Sequence, residues 1–487
     1  MDRAGRLFLA RWMAVALLLI LVAAFRSEGF LHPDEHFQVL EFASAKLGRT
    51  PWSALPWEYR YAMRPWLQPA LYALGARGLA ALGVVDPFAW AFGFRVFSGL
   101  AAWLSLVGLG LCAERFFSDP AARCLAIRAL VLLYFVPCLA VRTSAESLST
   151  SCLVLALCLV VLRGDAASPG PALLTGALLG LACALRYPAA VPVASLVAWM
   201  VFVGRTPAKR LVLALAGAAS ALALGVAADR WGYGEWTLPV WNYAFRNFAE
   251  DRAALEFGSL PWYGYVSVLA HGPFGPLNLL LAGVAVVAWV RHPRHVLTWV
   301  TLPLAVVHCA IGHKEARFLV PIAMLSPLLL VLACGAVAPR GWARVLAVGL
   351  LAYDLIGLAA LCLLPASPQV SFLHYVSGRF PAGLEAYVAT PQTPWVWRGL
   401  TLYFYGPPPS GLESWPGPAA VREREVRRFH LVASTWAGLP PVAPYRCRPL
   451  FRSVPAWLAD RGWPRAAGAP PMAWDLYRCA LAGGGGE

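Results

Sequence analysis

Three stretches of the chain concentrate side chains capable of chemistry. The first is Leu31-His32-Pro33-Asp34-Glu35-His36-Phe37-Gln38. Two adjacent carboxylates among imidazoles suit proton abstraction, since a general base must be an ionised acceptor within hydrogen-bond reach of the proton it takes. Pro33 fits the first turn of a helix, and the helix dipole favours Asp34 and Glu35 as anions there. The plainer alternative is two acids that merely improve a helix start. The second stretch, Ile311-Gly312-His313-Lys314-Glu315-Ala316-Arg317-Phe318, sets four titratable groups between two apolar runs. Cations converging beside a membrane suit a phosphate; the alternative is a snorkelling turn with internal ion pairs. The third group is Arg142 with Glu146, the turn Arg186-Tyr187-Pro188, and Asp229-Arg230-Trp231-Gly232-Tyr233-Gly234-Glu235-Trp236. Rings and charges at this density fit a sugar-binding surface or an interfacial aromatic belt, and Asp229 and Arg230 are placed to pair with each other. Asp34 and Glu35 are thus the catalytic candidates, and His313, Lys314 and Arg317 the phosphate-binding ones. His32, His36, Gln38, Arg142, Arg186, Asp229, Arg230 and Glu315 are weaker candidates for substrate contact. The 11 Cys include no CxxC or Cys/His cluster, so no metal site is expected. No P-loop and no dinucleotide fingerprint in a strand–helix context is present.

The elements that must position these residues are membrane helices. Of 487 residues, 59% are apolar and 13% charged, with a mean hydropathy of +0.61; a soluble protein carries roughly a quarter of its residues as charges. A span needs about 20 apolar residues. Such runs lie near 10–26, 94–113, 126–141, 147–163, 171–186, 189–204, 210–228, 267–290, 296–312, 317–338 and 342–364, which predicts about eleven transmembrane helices. A further run, 69–85, is short and interrupted by Arg77, and reads as a juxtamembrane helix. The first run follows Arg3, Arg6 and Arg11 but lacks a small-residue cleavage site before Arg26, so it reads as an uncleaved span. After Pro33, the stripe Phe37, Leu40, Ala43 and Leu47 predicts an amphipathic helix on the membrane surface.

The formal charge is +15, and all but three of the 40 basic residues are Arg, with Lys at 46, 209 and 314. These residues sit singly or in pairs between apolar runs, without the contiguous stripe that nucleic acid needs. They act as topology signals. With a cytoplasmic N-terminus and 69–85 not crossing, every cytoplasmic turn is basic: Arg115, Arg123 and Arg128; Arg163; Arg205, Lys209 and Arg210; Arg291 and Arg294; Arg340 and Arg344. The loop at about 28–68, the loop after Asp229, the His313 turn and the tail then share the extracytoplasmic face. The expected division is a transmembrane catalytic domain over 1–364 and an extracytoplasmic C-terminal module over 365–487. In that module Trp395–Tyr405, His430–Ser434 and Trp474–Cys479 read as strands, Ala456–Arg461 as a helix, and Gly483–Gly486 as a flexible end. Cys447 and Cys479 are the two tail cysteines, and an oxidising compartment would favour their pairing.

Three of these segments together resemble one family. His32-Pro33-Asp34-Glu35-His36-Phe37-Gln38 looks like the HPDE-type motif of glycosyltransferase family 22, lipid-phosphate-mannose-dependent mannosyltransferases of the GT-C superfamily. His313-Lys314-Glu315-Ala316-Arg317-Phe318 matches its HKExRF motif, and Asp229-Arg230-Trp231-Gly232-Tyr233-Gly234-Glu235-Trp236 is similar to its D-R-x-x-[YF]-G-x-W segment. The resemblance covers about residues 10–365, and among eukaryotic enzymes it is to those that add α-mannose in glycosylphosphatidylinositol anchor and lipid-linked oligosaccharide assembly. It implies an all-α polytopic GT-C fold with a small C-terminal α/β module. The implied reaction is inverting transfer of mannose from a polyprenyl or dolichyl phosphate to a hydroxyl of a glycan or glycolipid acceptor, without metal or cofactor. Asp34 would be the base, and His313, Lys314 and Arg317 the cations on the donor phosphate. Two departures stand out: the chain is short, and its Arg-rich composition looks bacterial, implying an inner membrane with a periplasmic active site in place of an endoplasmic-reticulum membrane with a lumenal one. Another GT-C transferase, with a different sugar or a protein acceptor, shares these features. A transporter shares only the helices and buried charges, and would show pseudo-symmetric halves.

Overall fold

The computed structural model describes residues 2–162, 168–336, 340–459 and 472–482. The turn containing Arg163, the residues Asp460 and Arg461 and the run Gly483–Gly486 lie outside them. The chain forms two units: Met1–Ser27, Trp57–Gly83 and Phe92–Leu364 in the first, and Glu28–Pro56, Val84–Ala91 and Pro365–Glu487 in the second. The second unit is therefore not confined to the residues after 364.

Among the described residues, six helical segments are long and apolar enough to cross a bilayer: Arg3–Arg26, Pro87–Phe116, Ala145–Leu162, Ala208–Tyr233, Ala316–Cys334 and Trp342–Arg379. Four shorter apolar helices cover Pro169–Leu185, Tyr187–Phe202, Gly275–Arg291 and Val296–Ala310. The chain is thus a multi-pass integral membrane protein, but the eleven uninterrupted runs are not matched one for one. The run 126–141 breaks between the helices Pro120–Leu132 and Val136–Ala140, where the buried carboxylate of Asp354 accepts the Tyr134 N–H at 3.1 Å. The run 267–290 breaks between Tyr265–His271 and Gly275–Arg291 at Gly272 and Pro273. The Asn278 amide donates there to the carbonyls of Leu269 and Pro273. Backbone groups at membrane depth must find partners inside the protein, and each break is closed by one polar side chain that hydropathy averages away. The run 69–85 becomes the 15-residue helix Leu67–Ala81.

The helices Pro169–Leu185 and Ala208–Tyr233 pack with almost no side chain between them. A Cβ on Gly176 would lie 1.7 Å from the Ala214 carbonyl oxygen, and one on Gly217 2.1 Å from that of Leu173. Small residues at such spacings allow the close backbone approach that membrane helices use for packing.

In the second unit, helical backbone runs from Pro33 to Lys46 through a π turn at His36–Leu40. Residues 35–45 are all buried. The expected amphipathic surface helix is therefore a core element, because Glu41 and Ser44, which should mark a wet face, are themselves enclosed. The described residues of the C-terminal part form seven strands: β1 (Ala386–Val388), β2 (Val396–Trp397), β3 (Leu400–Thr401), β4 (Leu412–Ser414), β5 (Arg428–Ser434), β6 (Tyr445–Arg452) and β7 (Trp474–Leu481). Five make a mixed sheet in the order β4-β1-β5-β7-β6, parallel at β4/β1/β5 and antiparallel beyond. The segment 395–405 is not one strand: β2 and β3 form a small antiparallel hairpin followed by a 3-10 turn at Tyr403–Tyr405. The sheet core contains Leu431, Ala433, Tyr477 and Cys479. Pro449 lies on β6, an edge strand, where its missing N–H costs no ladder bond.

Candidate active site

Asp34 and Glu35 are neighbours with different duties. Glu35 is 3% exposed, and its Oε1 accepts the backbone N–H groups of Leu31 and His32 at 3.2 and 3.3 Å. His32 Nδ1 in turn accepts the Asp34 N–H at 3.2 Å, completing a capping box with histidine as the N-cap. That bond makes Nδ1 an acceptor, so neutral His32 carries its proton on Nε2, and the 3.7 Å approach of Nδ1 to the Asp34 carboxylate is no hydrogen bond. Asp34, with a side chain 22% exposed, is the reachable acid of the pair.

His36 and Gln38 are buried. The His36 ring, wholly enclosed, lies 2.7 Å through Nε2 from Glu41 Oε1 and stacks on Tyr405 at 5.4 Å. In an α-helix, residues five apart diverge by about 140°; the π turn brings His36 and Glu41 to one side. Glu41 also accepts from the Thr50 hydroxyl and the Phe404 N–H. It is the centre of a buried polar knot that ties residues 36–50 to 404. Sequence reasoning passed over Glu41; its signal was a single acid within an apolar stripe.

In the first unit the charges form a chain. His313 Nε2 lies 3.0 Å from Glu315, whose other oxygen holds the Arg317 guanidinium. Arg317 reaches Glu146 at 3.2 Å, and Glu146 meets Arg186 at 3.0 Å. Both guanidiniums also lie over the Phe318 ring. His313 Nδ1 faces the Gly258 carbonyl at 3.2 Å, so both ring nitrogens see acceptors. The hydrogen bond to Glu315, with that group's charge and the carbonyl behind it, raises the imidazole pKa above its ordinary value against burial and Arg317. Glu146, which sequence reasoning noted but gave no role, is the shared anchor of two arginines from distant parts of the chain.

Lys314 stands apart. Its ammonium donates to the carbonyls of Ile311, Cys309 and Leu260 at 2.5, 3.1 and 3.2 Å. Three acceptors match the three protons of an ammonium. In this conformation Lys314 closes its own turn instead of presenting charge outward.

The remaining candidates hold backbone. Arg142, 1% exposed, donates to the Ser27 carbonyl and hydroxyl and to the Cys138 carbonyl. Asp229 does not pair with Arg230: it accepts the Trp66 N–H at 2.7 Å, while Arg230 lies over the Trp236 ring. The Tyr233 hydroxyl accepts the Arg64 N–H and donates to the Arg64 carbonyl. A Cβ on Gly232 would fall 2.0 Å from the Trp66 ring, so this glycine is what lets the helix meet that loop. Among the described residues no three His, Cys, Asp or Glu side chains converge as a metal ion would require.

Residues 11–367 match the Alg9-like mannosyltransferase family, and the chain belongs to that glycosyltransferase family. It is 24% identical over 311 residues to mannosyltransferase APTG1 of Arabidopsis thaliana, covering 62% of this chain and 54% of that protein. It is 27% identical over 295 residues to GPI alpha-1,2-mannosyltransferase 3 of Danio rerio (60% and 53%) and 27% over 314 residues to GPI mannosyltransferase 3 of Yarrowia lipolytica (63% and 59%). The matched part is just over half the length of these curated relatives. ArnT from Cupriavidus metallidurans bound to undecaprenyl phosphate aligns at 15% identity over 98% of this chain and 99% of its own, with a TM-score of 0.49.

Proposed function

We propose that the protein is an inverting α-mannosyltransferase of GT-C type. It moves mannose from a polyprenyl or dolichyl phosphate to a hydroxyl of a glycolipid or glycan, at the extracytoplasmic face of its membrane and without a metal or cofactor. Family membership carries the sugar and the reaction class, and the names of the relatives, GPI mannosyltransferases, favour a glycolipid acceptor. The observation that carries the donor is the convergence of Arg186 and Arg317 on Glu146, with His313 tied in through Glu315.

In the step itself, the acceptor oxygen attacks the anomeric carbon as Asp34 takes its proton, and the bond from that carbon to the phosphate oxygen breaks. The lipid phosphate leaves with one more negative charge. Cations fixed in advance stabilise charge that grows in the transition state; Arg186, Arg317 and His313 are the groups for it, and Glu146 and Glu315 hold them in place. Lys314 contributes by shaping the turn. Asp34 is preferred to Glu35 because Glu35 is occupied by two backbone donors.

Membranes containing the protein are expected to transfer radiolabel from polyprenyl-phosphate-mannose and not from the corresponding glucose donor. Preference for the glucose donor would move the chain to another sugar. The basic turns favour an extracytoplasmic site, in a bacterial inner membrane if the Arg-rich composition is bacterial. Comparing the lipids of a deletion strain identifies the acceptor.

A further inference from the structure

The second unit contains an open cleft of about 1380 Å³ that includes none of the residues assigned to transfer. Its walls are the helix Pro368–Arg379 with the following turn, the loop 407–411, and the β1/β5/β7 part of the sheet. Sites for drug-sized ligands run to roughly 300–1,000 Å³, so this one suits something longer. Its lining is neither an anion trap nor a lipid slot. Glu385, Glu413, Arg428 and Arg478 line the same space as Phe380 and Tyr387, and Glu413 is also paired with Arg424 at 3.0 Å.

Each competing ligand class lacks something. A phosphate would meet two carboxylates beside the arginines. An acyl chain would displace water from these polar groups and offer them no hydrogen bond in exchange. Sugar hydroxyls donate to carboxylates and accept from guanidiniums, and the C–H faces of pyranose rings rest on aromatic rings. His430 fits the same logic. Burial, helped by the nearby Arg478 and Arg379, lowers its pKa despite a hydrogen bond to the Glu385 backbone and so disfavours a further positive charge, and its ring meets Phe380 edge-on at 5.1 Å.

We infer that this cleft of the second unit is a glycan-binding site that takes a neutral oligosaccharide of several hexoses. Glu385 and Arg478 contact its hydroxyls and Phe380 contacts a ring face. The link to an acceptor glycan rests on the transferase reading above; the binding itself does not.

The test uses the full-length protein in detergent, titrated with α-linked mannopentaose and followed by saturation-transfer NMR and calorimetry. Glu385→Gln and Arg478→Gln alter exposed side chains, and each should weaken binding by roughly ten- to a hundredfold, the worth of one hydrogen bond to a charged group. Phe380→Ala should weaken it as well, and a wild-type melting temperature in the charge variants is the folding control. Inorganic phosphate and palmitate should not compete. No oligosaccharide binding by the wild-type protein, binding by both charge variants as tight as the wild type's, or displacement by phosphate or palmitate each overturns the inference. Asp34→Asn should bind mannopentaose as the wild type does, so a failed transfer assay and a failed binding assay remain separate results.

Discussion

The segment His32–Gln38 is where residue-level reading was most and least informative. The types were visible: a proline at a helix start, two acids, two imidazoles. Their division of labour was not, because Glu35 is committed by backbone geometry and His36 by a π turn, neither of which a motif encodes. The expected consequence is asymmetric. Asp34→Asn keeps shape but cannot take the proton, so transfer should fall by about 10²–10⁴-fold with donor binding retained; near-normal turnover would remove Asp34 as base. Glu35→Gln should act mainly through stability, lowering the melting temperature as the capping box weakens. Arg186→Ala and Arg317→Ala should each cost roughly 10²–10³ in kcat, and because both bind Glu146 their losses should not add in the double variant. Additive losses would mean two independent sites. Charge at His313 gives a further test. Its folded pKa is raised, so the stabilisation it contributes is complete below its unfolded pKa of about 6.5 and disappears as pH climbs through the higher folded value. The melting-temperature difference between wild type and His313→Asn should therefore shrink from pH 6 to pH 8, and a constant difference would contradict the Glu315 contact.

Among the elements, hydropathy located the apolar runs but not their interruptions. Asp354 and Asn278 are single polar residues in apolar surroundings, and each receives a helix break that a window average cannot see. The strands β5 and β7 fall where strands were expected, over His430–Ser434 and Trp474–Cys479, whereas β1 and β4 are three residues long and leave no periodicity to detect. The turn at His313 was legible as a cluster of charge, yet not as a folded object. Lys314 decides between the two views. If it closes the turn through three carbonyls, Lys314→Met should lower stability by about 1–3 kcal/mol and reduce kcat, with sensitivity of the 257–317 region to protease as the accompanying sign. If it instead held the donor phosphate, the variant would keep its melting temperature and raise the donor KM.

For the whole molecule, charge asymmetry of the loops and the state of two cysteines bear on the same question. Cys447 and Cys479 form a disulfide between directly opposed positions of β6 and β7, 32 residues apart. Closing such a loop is worth about 2–4 kcal/mol, and a cross-link of this kind persists in the periplasm or the endoplasmic-reticulum lumen but not in a reducing cytosol. The proposed extracytoplasmic tail thus rests on two features of unrelated physics, the basic turns through insertion and the disulfide through redox chemistry. In intact cells, a membrane-impermeant maleimide should label the tail only after an added reductant opens the bridge. The nine remaining cysteines, all in the membrane unit, are replaced by Ala or Ser beforehand so that the signal belongs to the tail. Cys447→Ala should then expose Cys479 to the reagent only when local opening admits it, since that side chain is fully buried. Labelling that requires permeabilisation and no reductant would place the tail in the cytosol. It would invert every turn assignment together, and the extracytoplasmic site with them.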